Sequence, residues 1–242
     1  ETRAKPFSYL AAYRAADRKF VRLGTDEVRD VTLAPNERWA IGIDNREYER
    51  AGNIDGTRYR DIYVVDTRTG ASRLAAKKTL NNALVSPDGS KALHFGDGQY
   101  RVIDFAGGEP RVITGNAPVS FVDTEDDHNT DRPPIQPLGW AKDGSAVLLS
   151  DNWDIWRVPV RGGAAVNLTG NGKASGVRYQ RRVVIDPRDR GIDLSKPFYI
   201  HMYGERTKKE GLAVVNPAKP GATSLVWDEA KYTFTPARNA DV

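Results

Sequence analysis

A strand-turn-strand pattern recurs along the chain at intervals slightly above 50 residues, and it restricts the possible folds more than any other feature of the sequence. The Ser-Pro-Asp-Gly turn at residues 86–89 has an Ala-Lys-Asp-Gly counterpart at residues 141–144, which places equivalent aspartates 55 positions apart. An earlier copy puts Pro35 52 positions before Pro87, and a degenerate fourth copy begins at Val184. Repeats of this length are typical of folds in which one supersecondary unit stacks on the next.

A second pattern follows these turns. It consists of a short strand rich in β-branched and aromatic residues, a glycine turn and a further strand, and it occurs at residues 61–66, 100–104, 154–158 and 212–216. The Asp-Gly and Gly-Gly pairs supply the positive φ that tight hairpin turns require. Together the two patterns predict four antiparallel strands in each repeat.

Units of this kind predict an all-β fold, a β-propeller of four-stranded antiparallel blades, with about four to five blades in this chain. The predicted blades cover approximately residues 31–80, 81–135, 136–180 and 181–230, with partial blades at residues 1–30 and 231–242. Residues 1–242 then form a single propeller region, which we expect to be part of a larger ring.

The spacing inside the repeats indicates where extra structure lies. The step from Pro87 to Gln99 is 12 residues, whereas the equivalent step from Pro35 to Asp61 is 26, so residues 44–59 are predicted to be an insertion. A comparable insertion or an extended hairpin is predicted at residues 188–210, and an irregular segment at residues 116–137. Insertions on a rigid scaffold commonly carry binding function.

The amino-acid composition argues against several classes of function. The chain has 36 Lys plus Arg against 32 Asp plus Glu, and this excess is too small and too dispersed to indicate a nucleic-acid partner. No apolar run approaches the ~20 residues that span a bilayer, so no membrane partner is expected. The absence of cysteine excludes disulfides, thiolate zinc sites and a cysteine nucleophile.

An ordered set of segments carries a resemblance to a known family. The segments are residues 121–127, 137–143, 151–158, 166–169 and 190–197. In order and spacing they resemble the propeller of bacterial prolyl-oligopeptidase-like (dipeptidyl-peptidase-like) serine peptidases, and the similarity extends from about residue 59 to residue 242. The Ser-Pro-Asp-Gly turn alone occurs in many propellers, so the ordered set is the more specific signal.

The resemblance implies a non-catalytic region that gates and binds peptide substrates for a C-terminal α/β-hydrolase domain, which this chain does not contain. The nucleophile motif G-x-S-x-G is missing, since the sequences at residues 70–74 and 172–176 both fail it. The chain alone is therefore not expected to be an enzyme, and no cofactor is expected. Its expected partners are a peptide substrate and the hydrolase domain of its parent serine peptidase, in a periplasmic or secreted location.

Dipeptidyl peptidases of this class carry a tryptophan-led glutamate motif in a propeller insertion, which grips the free amine of the substrate. Here residues 46–50 read Arg-Glu-Tyr-Glu-Arg, with no tryptophan and with each acid beside an arginine. The resemblance makes Glu47 and Glu49 candidate contacts for a substrate amine. The alternative is a solvated loop with local ion pairs.

An acidic segment is the second candidate site, either as a cation site or as a binding loop. Its candidate residues are Asp123, Glu125, Asp126, Asp127, His128 and Asp131. The spacing lacks the Asp-x-Asp-x-Asp-Gly pattern and distal glutamate of a calcium loop, so no metal site is predicted. The alternative is that these carboxylates stay hydrated or pair with arginines such as Arg132 and Arg182.

Two other function classes remain open at the level of sequence. A stand-alone propeller could serve as a protein-interaction scaffold. A propeller lyase or glycosidase would require clustered histidines or paired carboxylates, and the three histidines His94, His128 and His201 are far apart in the sequence.

Overall fold

The computed structural model describes residues 8–128, 131–235 and 237. The chain divides into two compact units, one that ends at Arg111 and one that begins at Val112. No helix in the described part of the chain is long and apolar enough to cross a membrane.

The first unit begins with a two-stranded hairpin of β1 (Ala11–Arg14) and β2 (Lys19–Arg22). A four-stranded antiparallel sheet follows, with the spatial order β3-β4-β5-β6. Its strands are β3 (Asp30–Leu33), β4 (Trp39–Asp44), β5 (Arg60–Asp66) and β6 (Ser72–Thr79), and helix α1 (Glu49–Asp55) lies between β4 and β5.

The next sheet contains β7 (Leu84–Val85), β8 (Lys91–Gly96), β9 (Gln99–Asp104) and β10 (Arg111–Val112). Its first turn is held by Asp88, whose carboxylate accepts hydrogen bonds from the hydroxyls of Ser86 and Ser90, both at 2.6 Å. Partial burial opposes ionisation of Asp88, but these hydrogen bonds lower its pKa to about 2. The turn chemistry recognised in the sequence therefore joins β7 to β8.

The second unit contains two further four-stranded antiparallel sheets, in the spatial orders β11-β12-β13-β14 and β15-β16-β17-β18. The strands of the first are β11 (Gly139–Trp140), β12 (Ala146–Ser150), β13 (Ile155–Pro159) and β14 (Val166–Asn167). A short helix, α2 (Gly172–Ser175), precedes the second sheet, which has β15 (Val177–Arg182), β16 (Phe198–Gly204), β17 (Glu210–Asn216) and β18 (Lys219–Asp228).

Each unit has its own apolar core. In the first unit Ile62, Val64 and Ile103 are at most 2% exposed and pack in one cluster. In the second unit Leu148 and Ile200, both 0% exposed, belong to a cluster that joins the inner faces of its two sheets. Buried and half-buried residues alternate along β16 and β17, whereas all five residues of β12 are buried, so β12 is covered on both faces.

Four successive four-stranded antiparallel sheets confirm the predicted all-β, β-propeller fold. Helix α1 was not predicted, although it falls in the predicted insertion at residues 44–59. In the last sheet the extra residues lie at 183–197, between the first and second strands, and overlap the predicted range at residues 188–197. The rest of that range lies in the hairpin of the seven-residue strands β16 and β17. Of the predicted partial blades, residues 1–7, 236 and 238–242 lie outside the described residues.

Candidate functional site

A cleft of about 630 Å³ lies beside helix α1 in the first unit. We call it the insertion cleft; it is lined by residues 27, 29–30, 43–46, 48–49, 52–53 and 57–60. Its volume is within the ~300–1,000 Å³ range of small-ligand pockets. The insertion predicted from repeat spacing therefore forms a wall of a cavity large enough for a few amino acid residues.

Tyr48 attaches α1 to the sheet. Its hydroxyl donates a 2.6 Å hydrogen bond to Asp61, which is 6% exposed and also accepts the main-chain N–H of Lys78 at 2.9 Å. Burial, with the nearby Asp61 carboxylate, raises the pKa of Tyr48 well above its ordinary value, so the phenol stays neutral. The rings of Tyr48 and Tyr59 meet edge to face with centroids 6.0 Å apart and form an aromatic part of the cleft.

The insertion cleft contains both signs of charge. Asp44 is paired with Arg46 through hydrogen bonds of 2.9 and 2.8 Å, and this contact lowers the pKa of Asp44. Three other lining carboxylates make no ion pair within the described part of the chain. They are Glu27, Asp30 and Glu49.

The two glutamates proposed from the resemblance differ in their positions. Glu49, in the first turn of α1, lines the insertion cleft. Glu47 is not among the lining residues, and its carboxylate lies 3.9 Å from the Nζ atom of Lys77 in an exposed ion pair. An arrangement of this kind gives Glu49 access to a ligand in the cleft and leaves Glu47 beside a surface lysine.

A second cleft, of about 490 Å³, lies in the other unit. We call it the bulge cleft, because it forms at an irregularity in β15; it is lined by residues 135–138, Ser150, Asn152, residues 178–182 and Val184. The sequence shows a short run of basic residues here but gives no sign of the irregularity, since that depends on how β15 pairs with β16.

The acidic segment packs against the elements that surround the bulge cleft. Asp123 accepts a 2.8 Å hydrogen bond from the side-chain amide of Asn152, and Glu125 accepts one of 2.7 Å from the Arg178 guanidinium. Asp126 accepts hydrogen bonds from the main chain and the ring of His128, both at 2.9 Å. Four of the six candidate residues, Asp123, Glu125, Asp126 and His128, therefore make contacts at separate points and do not converge on one site.

Arg178 links the acidic segment to the turn between β16 and β17. Its guanidinium is paired with Glu125 and with Glu205, and it lies 4.2 Å from the centre of the Trp153 ring. The hydrogen bond from Arg178 lowers the pKa of Glu205. Two carboxylates and an aromatic face thus hold this arginine in place.

Metal-ligating residues do not converge in the part of the chain that the structure describes, since no three His, Asp or Glu side chains there are arranged to hold a metal ion. His128 has a raised pKa because of its contact with Asp126. His94 is 5% exposed, and burial together with the nearby Arg101 charge lowers its pKa to about 4. His201 also has a lowered pKa, because of burial and the Arg181 charge.

No family model matches this sequence, and no curated protein matches it. Similarity is found to solved structures. A structure described as TolB from Agrobacterium tumefaciens is 15% identical, with a TM-score of 0.48, over 88% of this chain and 71% of that one. A eukaryotic initiation factor is 12% identical, with a TM-score of 0.50, over 90% of this chain and 50% of that one.

Prolyl endopeptidases are also among the similar structures, at 13% identity and a TM-score of 0.48, over 90% of this chain and 32% of theirs. The chain therefore spans half of the initiation factor and about a third of the endopeptidase. Similarity at these identities concerns the fold. The four-stranded antiparallel sheets define the class of this molecule as a β-propeller protein. It has two candidate binding sites, the insertion cleft and the bulge cleft.

Proposed function

We propose that this chain is the non-catalytic propeller region of a serine peptidase, and that it binds peptide substrates for a C-terminal α/β-hydrolase domain. Two observations support this proposal: the ordered resemblance between residues 121 and 197, and the insertion cleft beside α1. The observation that carries it is that Glu49 lines this cleft without an ion-pair partner in the described structure.

The chemistry of the insertion cleft suits the amino end of a peptide. A peptide ammonium can donate three hydrogen bonds, and charge-assisted bonds to a carboxylate are about twice as strong as neutral ones. Glu49, Glu27 and Asp30 offer such acceptors, and the Tyr48 and Tyr59 rings offer surface for side chains. The lining also contains four arginines, Arg29, Arg46, Arg58 and Arg60, so the cleft offers acceptors for an ammonium without being uniformly acidic.

The proposal is tested by isothermal titration calorimetry with the amidated tetrapeptide Ala-Ala-Pro-Ala, carrying either a free or an acetylated amino end. We expect acetylation to weaken binding by about tenfold or more, which corresponds to about 1.4 kcal/mol. Glu49→Gln should weaken binding of the free-amine peptide to the level of the acetylated one. Glu47→Gln is the matched control and should bind like the wild type, because Glu47 does not line the cleft.

Equal affinity for the two peptides, or an equal effect of both substitutions, would contradict amine recognition by Glu49. The parent activity is tested separately by reading the gene beyond Val242. A following segment of about 250 residues that contains G-x-S-x-G and then Asp and His would support a peptidase. A stop codon after a few more propeller repeats would instead support an interaction scaffold.

A further inference from the structure

We propose that the bulge cleft binds a carboxylate group of a peptide ligand through Arg181 and Arg182, which an irregularity in β15 presents together. This is a second binding site, and it does not require the insertion cleft to bind anything. The backbone register, the charge balance of the lining and the unsatisfied Nε atom of Arg182 support this proposal.

The register places an extra residue in β15. Tyr179 is paired with Met202 and Arg182 with Ile200, so three steps along β15 match only two along β16. Successive side chains of a regular strand point to opposite faces, but a bulge breaks this alternation and redirects side chains. Neighbouring Arg181 and Arg182 consequently both line the same cleft.

The cleft has an excess of positive charge. Its lining includes three guanidinium groups and no carboxylate. The charge of Arg178 is already balanced by Glu125 and Glu205, which lie outside the lining. Arg181 and Arg182 make no ion pair with any residue that the structure describes.

Arg182 has a polar atom that the described part of the protein does not satisfy. Its Nε atom is buried and has no hydrogen-bond partner among the described residues. Burial lowers the pKa of Arg182, and the negative charge of Asp189 only partly opposes this effect. A buried donor without an acceptor is unfavourable, so contacts within the described chain do not satisfy this guanidinium.

The rest of the lining indicates the class of ligand. A carboxylate matches the planar fork of a guanidinium, so two adjacent arginines can hold it through several charge-assisted hydrogen bonds. Ile135, Pro137 and Leu138 add an apolar wall, which offers nothing to a free inorganic anion but can contact the side chains of a peptide. We therefore assign the site to a carboxylate attached to an apolar peptide.

The test uses peptides with acetylated amino ends, so that recognition of an amine in the insertion cleft makes no contribution. Calorimetry compares acetyl-Leu-Leu-Ala with a free carboxyl end, the same peptide amidated, and an amidated acetyl-Leu-Leu-Asp. We expect the amidated Ala peptide to bind at least about tenfold more weakly than the free acid. Binding of the amidated Asp peptide would assign the site to an acidic side chain, and its failure to bind would assign the site to the carboxyl end.

Three variants connect the binding to named residues. Arg181→Gln and Arg182→Gln should each weaken binding of the free acid by about tenfold, since each removes a charge-assisted contact. Arg188→Gln is the control, because Arg188 is exposed and its partner is Asp186.

The melting temperature without ligand separates a binding role of Arg182 from a structural one. Arg182→Gln should leave the melting temperature unchanged or raised, whereas replacing a purely structural arginine would lower it.

Three results would overturn the proposal. They are equal binding of the free acid and the amidated Ala peptide, wild-type affinity in both Arg181→Gln and Arg182→Gln, and binding of inorganic phosphate as tight as that of the free acid. Should Arg182→Gln fail to fold, Arg181→Gln decides the matter, because Arg181 is exposed on the strand surface.

Discussion

The side-chain amide of Asn36 donates a 2.9 Å hydrogen bond to the main-chain oxygen of Asp88, which is 52 positions further along the chain. Asn36 and Asp88 occupy equivalent places in the first turns of successive sheets, because Pro35 and Pro87 precede them. The repeat period seen in the sequence therefore corresponds to a direct contact between the turns of two repeats.

This contact predicts that two equivalent glycines differ in their tolerance to substitution. Gly89 and Gly144 both have φ of +68°, but a Cβ at Gly89 would lie 2.8–2.9 Å from atoms of Asn36, whereas none of the atoms around Gly144 lies within 4 Å. We expect Gly144→Ala to lower the free energy of unfolding by about 1 kcal/mol, as is typical for an L-residue with positive φ. Gly89→Ala should lower it more, because Asn36 must also move. Urea denaturation of the two variants measures the difference, and equal losses would contradict the turn-to-turn contact.

The burial of His94 predicts a pH dependence of stability. Its pKa is about 4 in the folded chain and ~6.5 when unfolded, so between these values the unfolded chain binds more protons. Stability should therefore fall as the pH decreases from about 6.5 to about 4, by about 3 kcal/mol in total. His94→Leu should remove most of this slope. Urea denaturation at a series of pH values measures it.

His128 serves as the control for that series. Its pKa is raised by Asp126, so any contribution to stability is present at low pH and lost as the pH rises through the folded pKa. His128→Gln should leave the acid-side slope assigned to His94 unchanged. If His94→Leu and the wild type lose stability equally on acidification, the buried histidine is not the cause.

Asp154 is predicted to be the most costly carboxylate to replace in the second unit. It is 6% exposed and accepts hydrogen bonds from the Thr169 hydroxyl at 2.6 Å and from the main-chain N–H of Gly172 at 3.0 Å. Asp154→Asn reduces its capacity to accept and should lower the free energy of unfolding by about 2 kcal/mol. The control Asp143→Asn changes an exposed turn carboxylate and should cost about 0.5 kcal/mol. Similar losses in both variants, measured by thermal denaturation, would contradict this account of Asp154.

Arg178 is predicted to hold the acidic segment in place. Replacing it by Gln removes its ion pairs with Glu125 and Glu205. We expect faster hydrogen exchange at residues 121–128, since Glu125 then loses its link to β15. Arg188→Gln provides the comparison, and unchanged exchange in Arg178→Gln would show that the other contacts of the segment are sufficient.

The parts of this fold that sequence predicts are those fixed by local chemistry. The turns at residues 86–89 and 141–144 contain the residues that their own backbone requires, so they reveal the repeat. Helix α1 could not be predicted in this way. Its N-cap residue, Tyr48, makes no capping hydrogen bond, and the helix has only seven residues; contacts such as Tyr48 with Asp61 hold it.

The candidate sites depend even more on distant contacts. The bulge in β15 is defined by its register with β16, and the partners of Arg178 are 53 and 27 residues away in sequence. A run of arginines in the sequence cannot show which guanidinium has its charge balanced by carboxylates in the folded chain. For the same reason the sequence offers Glu47 and Glu49 as equivalent, and only the folded chain separates them.

Hydrogen exchange measured with and without a peptide amine tests the central claim most directly. Saturating Ala-Ala-Pro-Ala amide should slow exchange in the segment of residues 44–60, which lines the insertion cleft, and the acetylated peptide should not. Glu49→Gln should abolish this protection and Glu47→Gln should retain it. Protection elsewhere only, or the same protection with both peptides, would contradict peptide-amine binding in the insertion cleft.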